Sequence, residues 1–306
     1  MNDTLHIVFS TDDNFAPHCA VAMRTLLDHN AGVVFHILTE GLSEENRSRL
    51  QQVAGNQPIH FYVVESESLQ GLPMPDNKNE KISIATYYRL FMPRLLPKEI
   101  EKVLYLDCDL VVCGSLQELW ATDLTGKAMA AVYYPDCESM RRACRRLGMP
   151  DDAHYFNAGV LLINLAYWRE NQFTERCLHF IAEGRYPIIQ RDQDVLNAVA
   201  ASETTPLPWR YNVMENELKL IKRQAVGDEL VKIIENEKQK PVIVHFSFRL
   251  KPWEFGCRSP YRRVYRKTLK RTPYKGNKLH FSCRDFYEFW LKEVVIHPII
   301  TKIRRK

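Results

Sequence analysis

Glycine is scarce in this chain: 12 residues in 306, or about 4% against a usual share near 7%. Neither GxGxxG nor a GxxxxGK loop ending in Ser or Thr occurs. A dinucleotide-binding Rossmann site and a P-loop both need such glycines, because their backbone must approach phosphate closely, so both are disfavoured. No run approaches the roughly 18 apolar residues of a membrane-spanning helix. Residues Met1 to Phe9 lack a basic segment followed by an apolar one, so no signal peptide is expected. Cysteine is present but unpatterned. Cys19, Cys108, Cys113, Cys137, Cys144, Cys177, Cys257 and Cys283 form no CxxC pair. In an unsecreted chain they are expected to be free thiols, several of them buried, rather than disulfides or zinc ligands.

What is present is an ordinary globular composition, 45% hydrophobic and 26% charged. That sets aside disordered, collagen-like and coiled-coil chains, and the length suits one large domain with an appendage or two modest ones. The net charge of +5 hides an asymmetry. Phe255 to Lys306 holds 15 Lys/Arg and 3 Asp/Glu, a balance of +12, while the preceding 254 residues carry −7. The same tail has 9 of the 33 aromatics. A mildly acidic body with a basic, aromatic tail suggests a partner for the tail.

Apolar runs at Leu5–Ser10, Val33–Leu38 and Ile59–Val64 read as strands, with helical spacing over Phe15–His29 and Ser43–Ala54 between them. Lys81–Leu95 reads as a helix bent or ended near Pro93. Val103–Leu106, Ala128–Tyr134, Phe156–Asn164 and Val242–Phe246 read as further strands. Asp192–Ala200 reads as the opening of a helix, and residues 215–240 are charged and helical in character. Strands alternating with helices argue for an α/β layer with a largely parallel sheet.

The strongest local signal is VLYLDCDLVV at 103–112. An apolar strand delivers two aspartates, and residues i and i+2 of a strand face the same side. Asp107 and Asp109 are thereby placed to approach one cation at the strand's carboxyl end, where open α/β sheets hold their ligands. Two carboxylates suit Mn²⁺ or Mg²⁺, and such an ion bridges a pyrophosphate. The same residues also fit an ordinary strand-to-loop junction with solvated aspartates. In reserve stands an aspartyl phosphatase in which Asp107 attacks phosphorus and Asp109 is the acid/base. The phosphatase needs a second acidic cluster, for which Asp151-Asp152 is the nearest match.

His245 follows an apolar run in VIVHFSFRLKPW at 242–253. Imidazole is a good Mn²⁺ ligand and a poor Mg²⁺ ligand. Lys251 in the same segment would neutralise a leaving diphosphate. Taken alone, His245 is more plainly a satisfied core histidine. Thr11-Asp12-Asp13-Asn14 lies between the first strand and helix, the usual nucleotide corner of such a sheet, although helix capping accounts for it as well. Asp192 suits an N-cap, Asn157 suits a turn, and Arg89 suits either a phosphate contact or a surface position.

Taken together, six segments resemble bacterial family 8 glycosyltransferases, the retaining lipopolysaccharide galactosyl- and glucosyltransferases with a GT-A fold. They are IVFSTDDNF at 7–15, ATYYRLFMP at 85–93, VLYLDCDLVV at 103–112, FNAGVLLINL at 156–165, RDQDVLN at 191–197 and VHFSFRLKPW at 244–253, in the family's order. The resemblance covers about residues 4–255. It implies a mostly parallel central sheet flanked by helices over 1–254 and a basic helical region over 255–306. It implies a UDP-hexose donor, galactose or glucose, and a saccharide or lipid-linked saccharide acceptor. It also implies Mn²⁺, with Mg²⁺ as the alternative, held by Asp107, Asp109 and His245. Asp12 and Asn14 would contact uracil or ribose, and Lys251 the diphosphate. Arg89, Asn157, Asp192 and Gln193 would line the donor sugar, with Asp192 and Gln193 at the reacting centre. Gln193 is a poor nucleophile, and Asp192 either attacks or binds sugar hydroxyls. A departure stands at Phe248, where galactosyltransferases of this family often carry a small glycine. A UDP-binding module that no longer turns over is the non-enzymatic alternative.

In the tail, Arg262-Arg263, Arg266-Lys267 and Lys270-Arg271 recur with Tyr261, Tyr265 and Tyr274 among them. Arg284–Ile296 follows as a helical segment with Phe286, Phe289 and Trp290 on one face. Basic and aromatic residues together suit an anionic membrane surface. That reading, which the resemblance favours, is preferred to docking on the body and to nucleic acid. The expected location is cytoplasmic, peripheral on the inner membrane.

Overall fold

The computed structural model describes residues 4–73, 83–214, 228–247 and 251–278. A central seven-stranded sheet has the order β3-β2-β1-β4-β7-β6-β8. Its strands are β1 (Leu5–Ser10), β2 (Val33–Thr39), β3 (Ile59–Val63), β4 (Lys102–Leu106), β6 (Met129–Tyr133), β7 (Phe156–Asn164) and β8 (Thr204–Pro206). A two-stranded sheet pairs β5 (Leu110–Val112) with β9 (Ile243–His245). Alternate residues of the strands go to opposite cores. Ile7, Phe9, Leu104, Leu106 and Leu162 join one cluster, while Val8, Val103, Tyr105 and Leu161 join the other. A sheet buried on both faces reads as the unbroken apolar runs seen in the sequence. The helices Ala16–Leu27 and Glu44–Ala54 cover the first face. Residues of Phe173–Glu183 and Arg191–Val199 cover the second.

β7 runs antiparallel to both β4 and β6, and the other pairings in the sheet are parallel. This single reversal matters for the site. A strand that enters from the opposite end begins where β4 stops, so Asn157 and Gly159 lie beside Asp107, whose N–H donates to the Gly159 carbonyl at 2.8 Å. The β5–β9 pair does the same on the other side: Leu110 stands opposite His245, and the Phe246 N–H donates to the Asp109 carbonyl at 2.9 Å.

The expected helix at 81–95 is resolved differently. Ile84–Phe91 is a 3-10 helix, and Pro93 opens a short α-helix, Met92–Leu95, instead of ending one. Proline is tolerated in a first helical turn because its missing N–H has no partner there anyway. In a 3-10 helix residues i and i+3 eclipse, which sets Thr86 and Arg89 on one line. Lys81 and Ile82 lie outside the described residues. Of residues 215–240, the structure describes a helix over Asp228–Gln239, and 215–227 lie outside it. The seven cysteines in the described residues are free thiols, and all but Cys113 are buried.

The first part of the tail packs on the body. Tyr265, Leu269 and Tyr274 are part of the main core cluster. The Tyr265 hydroxyl pairs with His18 Nδ1 at 2.6 Å, Arg271 holds both oxygens of Asp28 at 2.7 and 2.8 Å, and the Tyr274 hydroxyl donates to Asn46 Oδ1 at 2.9 Å. Two of the three tyrosines expected to face a membrane therefore face inward, because burying the ring and bonding the hydroxyl satisfies both halves of the side chain. The outward face of the helix Arg262–Leu269 and the residue after it carry Arg263, Lys267 and Lys270. No Asp or Glu occurs between Phe255 and Lys278. The Arg284–Ile296 segment, with Cys283, lies outside the described residues. Among the described residues no helix is long and apolar enough to cross a membrane.

Candidate active site

Asp107 and Asp109 do not lie on a strand, as i and i+2 spacing suggested. They occupy a bend between β4 and β5. Cys108 between them is buried, with its thiol 3.3 Å from the Ser10 carbonyl, and that contact turns the two carboxylates away from the core. They converge on His245, whose Nε2 is 3.1 Å from Asp109 Oδ1 and 3.7 Å from Asp107 Oδ2. One ligand atom from each of the three lies within 4.8 Å of the others, spacing that suits a shared cation. Two carboxylate oxygens and an imidazole nitrogen form a donor set that fits Mn²⁺. Lys251 Nζ stands 2.6 Å from Asp109 Oδ2. Burial works against the Asp109 carboxylate, but Lys251 and His245 outweigh it and hold the group well below the usual carboxylate range. Burial also works against a charged His245, and Asp109 outweighs that, raising the imidazole above its ordinary value.

His245 is oriented from behind. Its Nδ1 is 3.1 Å from Asn212 Oδ1, and Asn212 Nδ2 donates to Asn157 Oδ1 at 2.8 Å. A partner on the second ring nitrogen fixes the tautomer and the plane of a metal-binding histidine. Asn157 Nδ2 in turn donates to Tyr134 Oη at 2.9 Å and Gln193 Oε1 at 3.2 Å. A chain of side chains thus runs from His245 to the start of the Arg191–Val199 helix. Gly159 backs the same group: a Cβ there would fall 2.2 Å from His245 Cε1 and 2.8 Å from Asp107 Oδ2.

Arg89 is 4% exposed and joins three parts of the site. Its Nη2 donates to Asp107 Oδ1 at 2.8 Å, its Nη1 donates to the Ala158 carbonyl, and its Nε stands 3.0 Å from Asp192 Oδ2. That Nε directs its hydrogen bond to the Thr86 carbonyl, so Asp192 Oδ2 is a buried atom that accepts no hydrogen bond. Thr86 Oγ1 donates to the other oxygen, the consequence of Thr86 and Arg89 sharing one line of the 3-10 helix. Burial pushes the Asp192 carboxyl up to about 6, against the pull of Arg89.

This carries a stability test. Between about pH 3.8 and 6 the folded protein keeps a proton on Asp192 that the unfolded chain has released. Asp192 therefore costs stability progressively as pH rises through that window, and the cost is constant above it. In melting experiments with a chelator present, Asp192→Asn is expected to gain on the wild type by about 2–4 °C or more between pH 4 and 7. An offset that stays flat with pH contradicts the assignment.

Asp12 accepts from the Phe15 N–H at 2.9 Å, which closes the turn that leads into the first helix rather than capping the helix itself, and Asn14 in that turn is exposed. Both stand at the carboxyl end of β1, which pairs with β4, and so on the same side of the sheet as Asp107. Phe248 lies outside the described residues. Sequence reasoning passed over Asn212, Gly159, Thr86 and Tyr134. Only Gly159 left a signal, a glycine inside a buried apolar strand.

A model of the family described as glycosyl transferase family 8 matches residues 6–257. The chain belongs to that family. The structure is similar to the galactosyltransferase LgtC solved with donor and acceptor sugar analogs. The TM-score is 0.77 at 30% identity, covering 88% of this chain and 96% of that one. General stress protein A of Bacillus subtilis is 29% identical over 86% of this chain and 92% of its own length. A lipopolysaccharide 1,2-glucosyltransferase of Escherichia coli is 26% identical over 91% and 86%. Membership in family 8, with the sheet order above, replaces the aspartyl phosphatase alternative. Asp151 and Asp152, the acidic pair that alternative required, lie exposed in a turn before β7 and join no metal-binding group with Asp107 among the described residues. As a family 8 glycosyltransferase, the chain presents Asp107 just beyond the carboxyl end of the parallel strand β4, where His245 from the β5–β9 pair and Lys251 beyond it meet the two aspartates.

Proposed function

We propose that this glycosyltransferase moves galactose or glucose from UDP to a saccharide acceptor of a lipopolysaccharide or lipooligosaccharide, with retention at the anomeric carbon. The observation that carries the proposal is the convergence of Asp107, Asp109 and His245, with Lys251 on Asp109. These three residues would hold Mn²⁺, or Mg²⁺ in its place. A divalent ion bound there offsets the charge that develops on the leaving diphosphate. Lys251 is already poised on Asp109 and transfers its contact to the diphosphate when the donor enters. Asp12 and Asn14 contact uridine at the first strand-to-helix corner.

Arg89 aligns Asp107 with Asp192, and Asn157 with Gln193 lines the donor sugar. The buried Asp192 oxygen that lacks a hydrogen bond suits a sugar hydroxyl better than attack on C1, which favours same-face displacement over a covalent intermediate. The residues of the transfer site all lie within 1–254.

The test is UDP release from UDP-galactose, UDP-glucose and UDP-N-acetylglucosamine, with Mn²⁺ or with a chelator. Mn²⁺-dependent release from UDP-galactose or UDP-glucose is expected. Equal release with the chelator sinks the metal role, and release from UDP-N-acetylglucosamine alone sinks the hexose assignment.

Residues 255–306 would hold the enzyme peripherally on the cytoplasmic face of the inner membrane, through charge rather than through the inward-facing tyrosines. Each Lys or Arg near an anionic surface contributes about 1 kcal/mol. Replacing Arg263, Lys267 and Lys270 together by Gln should weaken binding to phosphatidylglycerol vesicles by about 100-fold. Unchanged binding, or equal binding to phosphatidylcholine vesicles, contradicts it.

A further inference from the structure

Lys251 opens a four-residue turn, Lys251–Glu254, in which every residue is fastened. Its Nζ donates to Asp109 Oδ2 and to the Phe246 carbonyl, both at 2.6 Å. Its backbone N–H donates to Glu254 Oε2 at 2.8 Å, and the Glu254 N–H donates back to the Lys251 carbonyl at 2.9 Å. Trp253 is stacked on the His18 ring, 3.5 Å between centroids and 12° between planes. The carbonyls of Pro252 and Glu254 both accept from Arg266, through Nε and Nη2, each at 2.9 Å.

Arg266 belongs to the basic tail, on the helix Arg262–Leu269. Both of these hydrogen bonds end on main-chain carbonyls, so Arg266 fixes the shape of the turn. A guanidinium presents its donors in a rigid planar fork, whereas an ammonium is a point charge on a flexible stem. The helix that carries the fork is itself anchored. Its neighbour Tyr265 is fully buried and pairs with His18, the residue on which Trp253 stacks. His18 therefore ties the turn and the tail helix to the same first helix of the body. An open cavity of about 290 Å³ beside Asn14 is walled by His18, Trp253, Tyr265 and Leu269, so tail and donor corner share one surface.

We propose that Arg266 is a positioning residue for sugar transfer: it holds the Lys251–Glu254 turn so that the Lys251 ammonium meets the donor diphosphate. The docked part of the tail is then a component of the catalytic unit. This rests on the diphosphate role given to Lys251 above.

The test is a double-mutant cycle on UDP affinity, measured by calorimetry with Mn²⁺, alongside melting temperatures. Arg266→Ala should weaken UDP binding by about 10- to 100-fold, the range seen when a partner behind a binding group is removed. Arg266→Lys should recover only part of that loss, because it lacks the fork. The Arg266→Ala and Lys251→Ala effects should not multiply, since both act through one ammonium. A double variant whose loss is the product of the two single losses overturns the proposal, as does wild-type affinity in Arg266→Ala. If Arg266→Ala fails to fold, Arg266→Lys carries the same cycle with the same criterion. Wild-type affinity in Lys251→Ala alone instead overturns the diphosphate role of Lys251. Absence of UDP binding by the wild type overturns the reading of the site as a UDP-sugar site.

Discussion

Asp109→Asn is expected to lower Mn²⁺-dependent sugar transfer by about 1,000-fold, at the upper end of what loss of one charge-stabilising group costs. The substitution keeps the shape and one oxygen, and it removes the charge that His245 and Lys251 both face. On the proposed reading three effects fall together. A bound cation would lose one of two anionic ligands, Lys251 would lose the counter-charge that parks it where the diphosphate would sit, and His245 would lose the partner that outweighs its burial. The change sits in a bend and not in the core, so folding should survive, and circular dichroism with a melting curve checks this. Steady-state transfer or UDP release is the deciding measurement. Activity within tenfold of the wild type would show that the site does not depend on this carboxylate.

Gly159→Ala should be nearly as damaging, by a different route. The added methyl would fall 2.2 Å from His245 Cε1 and 2.8 Å from both His245 Nδ1 and Asp107 Oδ2. His245 cannot swing away cheaply, because its ring is buried and held at both nitrogens, by Asn212 and Asp109. The backbone of Gly159 cannot retreat either, since its carbonyl accepts from Asp107 and its N–H donates to Asn157 Oδ1 at 2.9 Å. Overpacking of this kind costs about 1–3 kcal/mol in stability. A displacement of about 1 Å at a reacting centre costs about 100-fold in rate. We expect at least that loss in kcat/KM, with weaker Mn²⁺ binding, and a folded protein. Retention of Mn²⁺ affinity and activity would mean that His245 is not a ligand in this geometry.

The parts of this architecture that the sequence made legible are those written as local patterns. β4 is a solid apolar run with two aspartates after it, β9 is a shorter run that delivers a histidine, and the first strand–helix–strand units alternate in period. The orientation of β7 was not legible, because a strand buried on both faces has the same composition in either direction. Yet that orientation brings Asn157 and Gly159 to Asp107. Asn212 was not legible for a related reason. It reaches His245 because Val213 bridges to Val244, a pairing between segments whose spacing in sequence carries no code. Thr86 was hidden behind a helix type. An α-helix and a 3-10 helix of the same residues look alike in composition, and only the tighter one eclipses Thr86 with Arg89 beneath Asp192.

The tail shows how a compositional argument divides when the chain folds. Lys and Arg beside Tyr suggested one amphipathic surface. In the structure Tyr265 and Tyr274 go to the core and bond His18 and Asn46, while Arg263, Lys267 and Lys270 stay in water. Arg266 and Arg271 take a third course and bond main chain and Asp28. Residue type alone did not separate these fates, because an arginine on a docked helix serves as readily to hold a turn as to face an anionic surface.

On the proposed reading, Asp107, Asp109 and His245 form the place where a divalent cation and the donor diphosphate would meet. That reading is tested most directly by titrating the protein with Mn²⁺ under electron paramagnetic resonance, with and without UDP, in the wild type and in Asp109→Asn. One Mn²⁺ per wild-type chain is expected, bound more tightly when UDP is present, with loss of that UDP-linked binding in the variant. Mn²⁺ binding that ignores UDP, or that persists unchanged in Asp109→Asn, would contradict it.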